Sequence, residues 1–174
     1  LALATVLRAH LLDIARVRNR VRGLHDDRSG DLLVERIHDS GHELAARAIE
    51  VDDVERIVER LREWITDPNV DCIVTTGGTG VTGRDVTPEA IAQVVEKDIP
   101  GFGELFRWIS YQQIGTSTIQ SRACAGVANG TYIFALPGST GAVKDGWDGI
   151  LATQLDSRYR PCNFVELMPR LKES

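Results

Sequence analysis

The residues best suited to chemistry fall in one stretch, TTGGTGVTGRD at 75–85. Glycines at 77, 78, 80 and 83 let the backbone turn sharply and approach a ligand with no Cβ in the way. Peptide N–H groups in such a turn can converge on phosphate oxygens as an anion-binding nest, and Thr76, Thr79 and Thr82 add hydroxyl donors. Asp85 closes the stretch. A carboxylate beside a phosphate is repelled unless a metal bridges the two or the ligand offers it a donor. An anion nest next to an acid therefore points to phosphate chemistry assisted by a divalent cation. Two familiar motifs come close and fail. Residues 78–83 spell GxGxxG, but the following helix opens at Thr87 rather than on the last glycine, so a nicotinamide-dependent oxidoreductase is a weak reading. The same glycines are spaced like a P-loop, yet Arg84-Asp85 stands where that motif needs Lys and Ser or Thr.

Other candidates are sparser. Asp52 and Asp53 precede a helix, where either can cap the first-turn N–H groups and the other can turn to a ligand. Ser121-Arg122 lies just before a strand, and Pro137-Gly138-Ser139 makes a second small-residue turn after one. Arg16, Arg18, Arg20 and Arg22 alternate, a solvated basic rim or a local anion clamp. The histidines do not cluster at metal-ligand spacing, and no GxSxG nucleophile is present.

These residues need elements to hold them. Residues 11–17 read as a strand and 18–28 as a polar loop. A helix from Ser29 carries Leu32, Leu33 and Ile37 on one side and is ended by Gly41. A strand over 43–49 follows. The strongest helical pattern is Val54, Ile57, Val58, Leu61, Trp64 and Ile65, with Pro68 beyond its end. Residues 72–76, CIVTT, form a buried strand. Thr87-Pro88-Glu89 starts a helix with threonine as its cap, and a further helical segment covers 104–110. Runs 123–128 and 131–136 flank Asn129-Gly130, a two-residue hairpin signal. A last helix spans 141–151 with Val143, Trp147, Ile150 and Leu151 on one side. Strands alternating with helices imply an α/β fold with a mainly parallel sheet covered on both faces. Ligands bind beyond the carboxyl ends of such strands, which selects the segments 77–85, 50–53 and 137–140.

Size and charge narrow the class. The chain has 174 residues, 43% of them hydrophobic and 26% charged, which suits one globular domain over 1–174 with residues 1–10 read as an extension. A net charge of −5 disfavours a general nucleic-acid role. No apolar run reaches the ~20 residues that span a bilayer. The cysteines at 72, 124 and 162 form no CxxC pair, which fits a reducing cytoplasm.

The stretch TTGGTGVTGRDVTPEA at 75–90 resembles the signature of the MoaB/MogA proteins of molybdenum cofactor biosynthesis, found also in the N-terminal domain of gephyrin. Similar matches are DRSGDLL at 27–33, GHE at 41–43, PGFGELFR at 100–107, IGTSTIQSR at 114–122, AGV at 125–127 and LPGST at 136–140. The tail QLDSRYRPCNF at 154–164 resembles the MoaB branch in particular. The resemblance implies a three-layer αβα sandwich of the MogA-like fold, assembled as a homotrimer or homohexamer. It implies binding of molybdopterin and adenylyl transfer from Mg-ATP to its terminal phosphate, with pyrophosphate released. The alternative is a non-catalytic molybdopterin-binding or carrier protein of the same pathway. By matching positions it assigns Asp85 and Asp52 as catalytic and Mg²⁺-binding residues, with Asp53 an equally close alignment to the second. It assigns Gly77, Gly78, Thr79 and Gly80 to the phosphate turn, and Ser110, Ser121, Arg122, Pro137, Gly138 and Ser139 to the rest of the substrate site. Family members carry Ser-Asp or Ser-Asn after the first strand, where this chain has Arg18-Asn19-Arg20.

Overall fold

The computed structural model describes residues 5–15 and 27–173, so the arginines at 16, 18, 20 and 22 and the departure at 18–20 lie outside the described residues. The described elements are β1 (Arg8–Ala15), α1 (Arg28–Asp39), β2 (Glu43–Val51), α2 (Val54–Ile65), β3 (Cys72–Thr76), α3 (Thr87–Ile91), β4 (Lys97–Asp98) and α4 (Pro100–Ile114). A 3₁₀ segment (Gly115–Gln120) leads to β5 (Cys124–Ala128), β6 (Thr131–Leu136) and α5 (Thr140–Gly146). A π-helical turn (Trp147–Leu151) extends α5 into α6 (Ala152–Gln154), and α7 (Phe164–Leu167) is followed by a 3₁₀ turn (Met168–Arg170). The strands form one six-stranded sheet in the order β2-β1-β3-β6-β5-β4. β2, β1, β3 and β6 run parallel. The Asn129-Gly130 turn makes β5 antiparallel to β6, and β4 pairs antiparallel with β5.

Both faces of the sheet are covered, so the central strands are buried on alternate sides rather than half-polar. Leu11, Cys72, Val74, Tyr132 and Phe134 face one layer, with Leu33 and Ile37 of α1, Phe102 and Phe106 of α4, and Val143 of α5. Leu12, Ile73, Ile133 and Ala135 face the other, with Ile57, Val58 and Leu61 of α2 and Ala90 and Ile91 of α3. This is the αβα sandwich that the alternation of strands and helices requires.

The largest boundary differences from the sequence reading are in β1 and α4. β1 begins at Arg8, not at Leu11, and ends at Ala15 within the described residues. Its polar start hid it: Arg8 pairs with Glu43 at 3.2 Å, and His10 is buried with its ring edge-on to Trp64 at 4.6 Å. Leu7 and Ala9, which the reading placed in an extension, pack into the core. α4 is 15 residues long instead of the seven-residue core of 104–110, because Pro100 occupies a first-turn position whose N–H has no helical partner.

The carboxyl end of β1 carries an unusual charge arrangement. The Arg47 guanidinium lies 2.8 Å from Asp13, 3.2 Å from Asp27 and 2.8 Å from Asp31. Asp27 also caps α1, accepting from Gly30 N at 3.1 Å and from the Ser29 hydroxyl at 2.9 Å. One cation faces three acids, and Asp13 is the most enclosed of them. Burial raises its pKa to about 7, reinforced by the charge of Asp27 and opposed by Arg47. A proton kept on Asp13 gives its Oδ1 a hydrogen bond to Asp27, an atom otherwise buried without a partner. Burial also works against the Asp27 charge, but the N–H of Gly30 and its other donors hold its pKa below the ordinary value. Because the folded state favours protonated Asp13, that contribution is full below the ordinary carboxylate pKa and is lost as pH rises through about 7. Asp27 acts in the opposite sense but only in stronger acid. The thermal midpoint is therefore expected to fall by several degrees between about pH 5 and pH 8, at roughly 2–4 °C per kcal/mol. Asp13→Asn, which can still donate to Asp27, is expected to flatten that slope in a pH series of thermal melts.

Candidate functional site

Parallel register places three strand ends side by side. Thr76 of β3 pairs with Leu136 of β6, so the turns after both strands start level. Gly77 N donates to Leu136 O at 2.9 Å, and the Gly77 Cα lies 3.0 Å from where a Cβ on Gly138 would sit. Gly77 has φ +101° and Gly78 φ +64°, a region open to glycine and strained for other residues. Space forbids a side chain as well. A Cβ at Gly77 would come 2.5 Å from Ile14 O, and one at Gly78 would come 2.3 Å from the Thr87 hydroxyl.

Thr87 has a different task from the one its sequence position suggests. α3 begins at Thr87 with Val86 as its cap, and that cap makes no side-chain bond. The Thr87 hydroxyl instead donates to Gly77 O at 2.9 Å, and its N–H to Gly78 O at 3.0 Å. The helix thus fastens the glycine turn.

The two acids flank that turn. Asp53 caps α2, accepting from Arg56 N at 3.0 Å, whereas Asp52 Oδ1 would lie 3.2 Å from a Cβ on Gly78. Asp52, not Asp53, therefore faces the glycines. Asp53→Ala is expected to lower stability by ~1 kcal/mol, the usual loss for a cap, which a thermal melt against the wild type reads. Asp85 lies further along the loop, where a Cβ on Gly80 would be 2.7 Å from its Oδ2. Its Oδ2 accepts from Thr82 N at 2.9 Å and from the Thr82 hydroxyl at 2.6 Å, which holds the carboxylate against its own loop.

A cleft of about 190 Å³ opens beside Thr79 and Gly80, between the turn after β6 and the end of α4. Ser110, Ser121, Pro137 and Ser139 line it, so the structure brings these sequence candidates to one place. Ser139 also caps α5, accepting from Ala142 N at 3.2 Å. Ser117, Thr118 and Gln120, from the 3₁₀ segment, line the same cleft. Sequence reasoning did not single them out, although a hydroxyl run straight after Gly115 was a signal available to it. Arg122 is not among the lining residues. Its Nε donates to Gly80 O at 2.6 Å, and its two other nitrogens bond Asp85 O and Glu89. Glu89 has its pKa lowered by the hydrogen bond from Arg122.

The cleft wall is uncharged and mixes hydroxyl side chains with the apolar Phe106, Ile114 and Pro137, which suits a neutral ring system with hydrogen-bonding groups on its edge. Asp85 stands beside Gly80 at the edge of the cleft, whereas Asp52, Gly77 and Gly78 do not line it. Among the described residues no group of three or more His, Cys, Asp or Glu side chains is placed to hold a metal. Two carboxylates fit Mg²⁺ only when ligand phosphates complete its shell, which is how that ion is ordinarily held. None of the described helices is long and apolar enough to cross a membrane.

Known proteins share this fold. A family model described as a probable molybdopterin binding domain matches residues 13–157. Molybdenum cofactor biosynthesis protein B of Escherichia coli K12 is 46% identical over 160 residues, covering 92% of this chain and 92% of that protein. The crystal structure of a molybdenum cofactor biosynthesis protein B superposes with a TM-score of 0.81 at 38% identity, covering 87% of this chain and 92% of that one. The tungsten cofactor synthesizing protein MoaB from Pyrococcus furiosus superposes with a TM-score of 0.75 at 34% identity, covering 84% of this chain and 91% of that one. The glycine turn, both acids and the cleft all lie inside the matched region, and the chain belongs to the MoaB/MogA family of molybdenum cofactor biosynthesis proteins.

Proposed function

We propose that the chain acts in molybdenum cofactor biosynthesis as a molybdopterin adenylyltransferase. The supporting observation is the position of Asp52 beside Gly78 and of Asp85 beside Gly80, with the cleft opening at Thr79 and Gly80. The pterin occupies the cleft, held by Ser110, Ser121, Ser139 and the Pro137-Gly138 turn, and its terminal phosphate rests on Gly77, Gly78, Thr79 and Gly80. A phosphate oxygen attacks the α-phosphorus of ATP, a new P–O–P bond forms, the bond to the β-phosphate breaks, and pyrophosphate leaves. Such chemistry depends on alignment and charge neutralisation more than on covalent help. Mg²⁺ brought with ATP supplies the neutralisation, and Asp52 and Asp85 are the residues that would hold it.

The whole chain, 1–174, is read as one molybdopterin-binding domain in a cytoplasmic protein. It assembles as a homotrimer or homohexamer. The exposed apolar face of α4 and the segment after it supports this: Trp108 is 64% exposed, Tyr111 52%, Ile114 56% and Ile119 81%. Several large apolar side chains left in water on one segment mark an interaction surface. Trp108→Glu is expected to shift the sedimentation profile to a smaller species without unfolding the chain.

A second reading, a molybdopterin carrier without turnover, draws on the bonds that tie the Asp85 Oδ2 to Thr82. Calorimetry separates the two. The transferase binds both molybdopterin and Mg-ATP; the carrier binds the pterin alone.

A further inference from the structure

We infer that Arg122, anchored by Glu89, is a positioning residue that sets the glycine turn and Asp85 in place rather than a ligand for the substrate; this rests on the adenylyl-transfer reading above. The carbonyls of the loop are tied from behind by two residues. Thr87 takes Gly77 O and Gly78 O, at 2.9 and 3.0 Å. Arg122 takes the next two, Thr79 O through its own N–H at 2.9 Å and Gly80 O through Nε at 2.6 Å. The guanidinium then reaches on to Asp85 O and to Glu89, in the first turn of α3. Four successive peptide oxygens thus have donors already. That matters for an anion site, because a peptide oxygen turned toward a phosphate repels it while a peptide N–H attracts it.

The same guanidinium spans from Gly80 to Asp85, the two ends of the segment that carries the acid. It therefore fixes how far the Asp85 carboxylate stands from the turn. A planar fork with donors on several sides can serve two carbonyls and one carboxylate together, which a lysine ammonium on a flexible stem does not reproduce. The Arg122–Glu89 pair is partly exposed, at 33% and 51% of the side chains, and exposed ion pairs contribute little to stability. Its effect is expected on the loop and the reaction, not on the fold.

The test uses the full chain and the variants Arg122→Lys and Glu89→Ala, with two measurements. Amide hydrogen exchange over 77–85, recorded without ligands, is expected to rise at least about tenfold in Arg122→Lys while β3 stays protected. In the adenylyl-transfer assay, kcat is expected to fall on the order of tenfold to a hundredfold, and the Mg²⁺ concentration for half-maximal rate to rise several-fold. KM for molybdopterin rises by no more than a few-fold, because Thr87 still holds the first half of the turn. Glu89→Ala shifts both measurements in the same direction by less, and the double variant is no worse than Arg122→Lys alone, as expected for residues acting as one unit. Unchanged exchange in both variants overturns the inference whatever the kinetics show. A raised KM with an unchanged Mg²⁺ requirement also overturns it, because Arg122 would then be contacting substrate. Failure of the functional reading looks different: the wild-type protein itself forms no product.

Discussion

Gly77→Ala is expected to destabilise the protein by about 3–4 kcal/mol and to remove measurable molybdopterin binding. Two effects add. A left-handed backbone penalises a Cβ by roughly 1–2 kcal/mol, and at φ +101° the alanine lies outside even the left-handed helical well. The new methyl would also sit 2.5 Å from Ile14 O, a backbone atom of β1 that cannot swing aside as a side-chain tip does. Forced overpacking of this kind costs roughly 1–3 kcal/mol. Against a total stability of about 5–15 kcal/mol, the variant still folds, with a midpoint lower by roughly 6–16 °C for a chain of this size. Relief of the clash must open the turn, and with it the contacts to Gly138 and Thr87 that shape the phosphate seat. Gly83→Ala is the control. It lies in the same loop, has no atom within 4 Å of its added methyl and has no positive φ, so it is expected to change stability by less than about 0.5 kcal/mol. Thermal melts and calorimetry on the two variants suffice. Equal behaviour of the pair would contradict the geometry of the turn.

Asp85→Asn should separate binding from chemistry. A carboxylate beside a bound phosphate repels it unless a cation intervenes. Without Mg²⁺ the variant is therefore expected to bind molybdopterin at least as tightly as the wild type. With Mg-ATP the order reverses. Removing one of two carboxylates that hold the cation forfeits a share of several kcal/mol of charge stabilisation, on the order of a hundredfold or more in kcat at about 1.4 kcal/mol per tenfold. Pyrophosphate release in a single turnover, alongside calorimetry in a chelator, reads both effects. Weaker Mg²⁺-free binding with an unchanged rate would show that Asp85 touches the pterin itself and holds no metal.

Much of this was legible in the residues. Alternating strand and helix patterns carried the sandwich, because buried parallel strands read as continuous apolar runs and α2 shows its stripe directly. The Asn129-Gly130 turn announced the one hairpin. Elements whose stability comes from their neighbours were harder to read. β1 starts on Arg8 and His10; Arg8 pairs with Glu43 and the His10 ring packs edge-on to Trp64, contacts that the local pattern cannot reveal. β4 has only two residues and exists because β5 offers it an edge. At the site, the glycine turn and Asp85 stood out because few other needs explain such a density of glycine beside an acid. Asp52 and Asp53 were indistinguishable until the cap on α2 claimed one of them. The roles of Thr87 and Arg122 were hidden, since both act on peptide oxygens of a loop that only the folded chain brings to them.

The central claim, that this chain joins an adenylyl group to the molybdopterin phosphate, is met most directly by mixing purified protein with molybdopterin and Mg-ATP and quantifying product. The account predicts adenylylated pterin and pyrophosphate in equal amounts, dependent on Mg²⁺ and formed on the order of a hundredfold more slowly, or slower still, by Asp85→Asn. Protein that binds the pterin yet forms neither product at any Mg²⁺ concentration would contradict it.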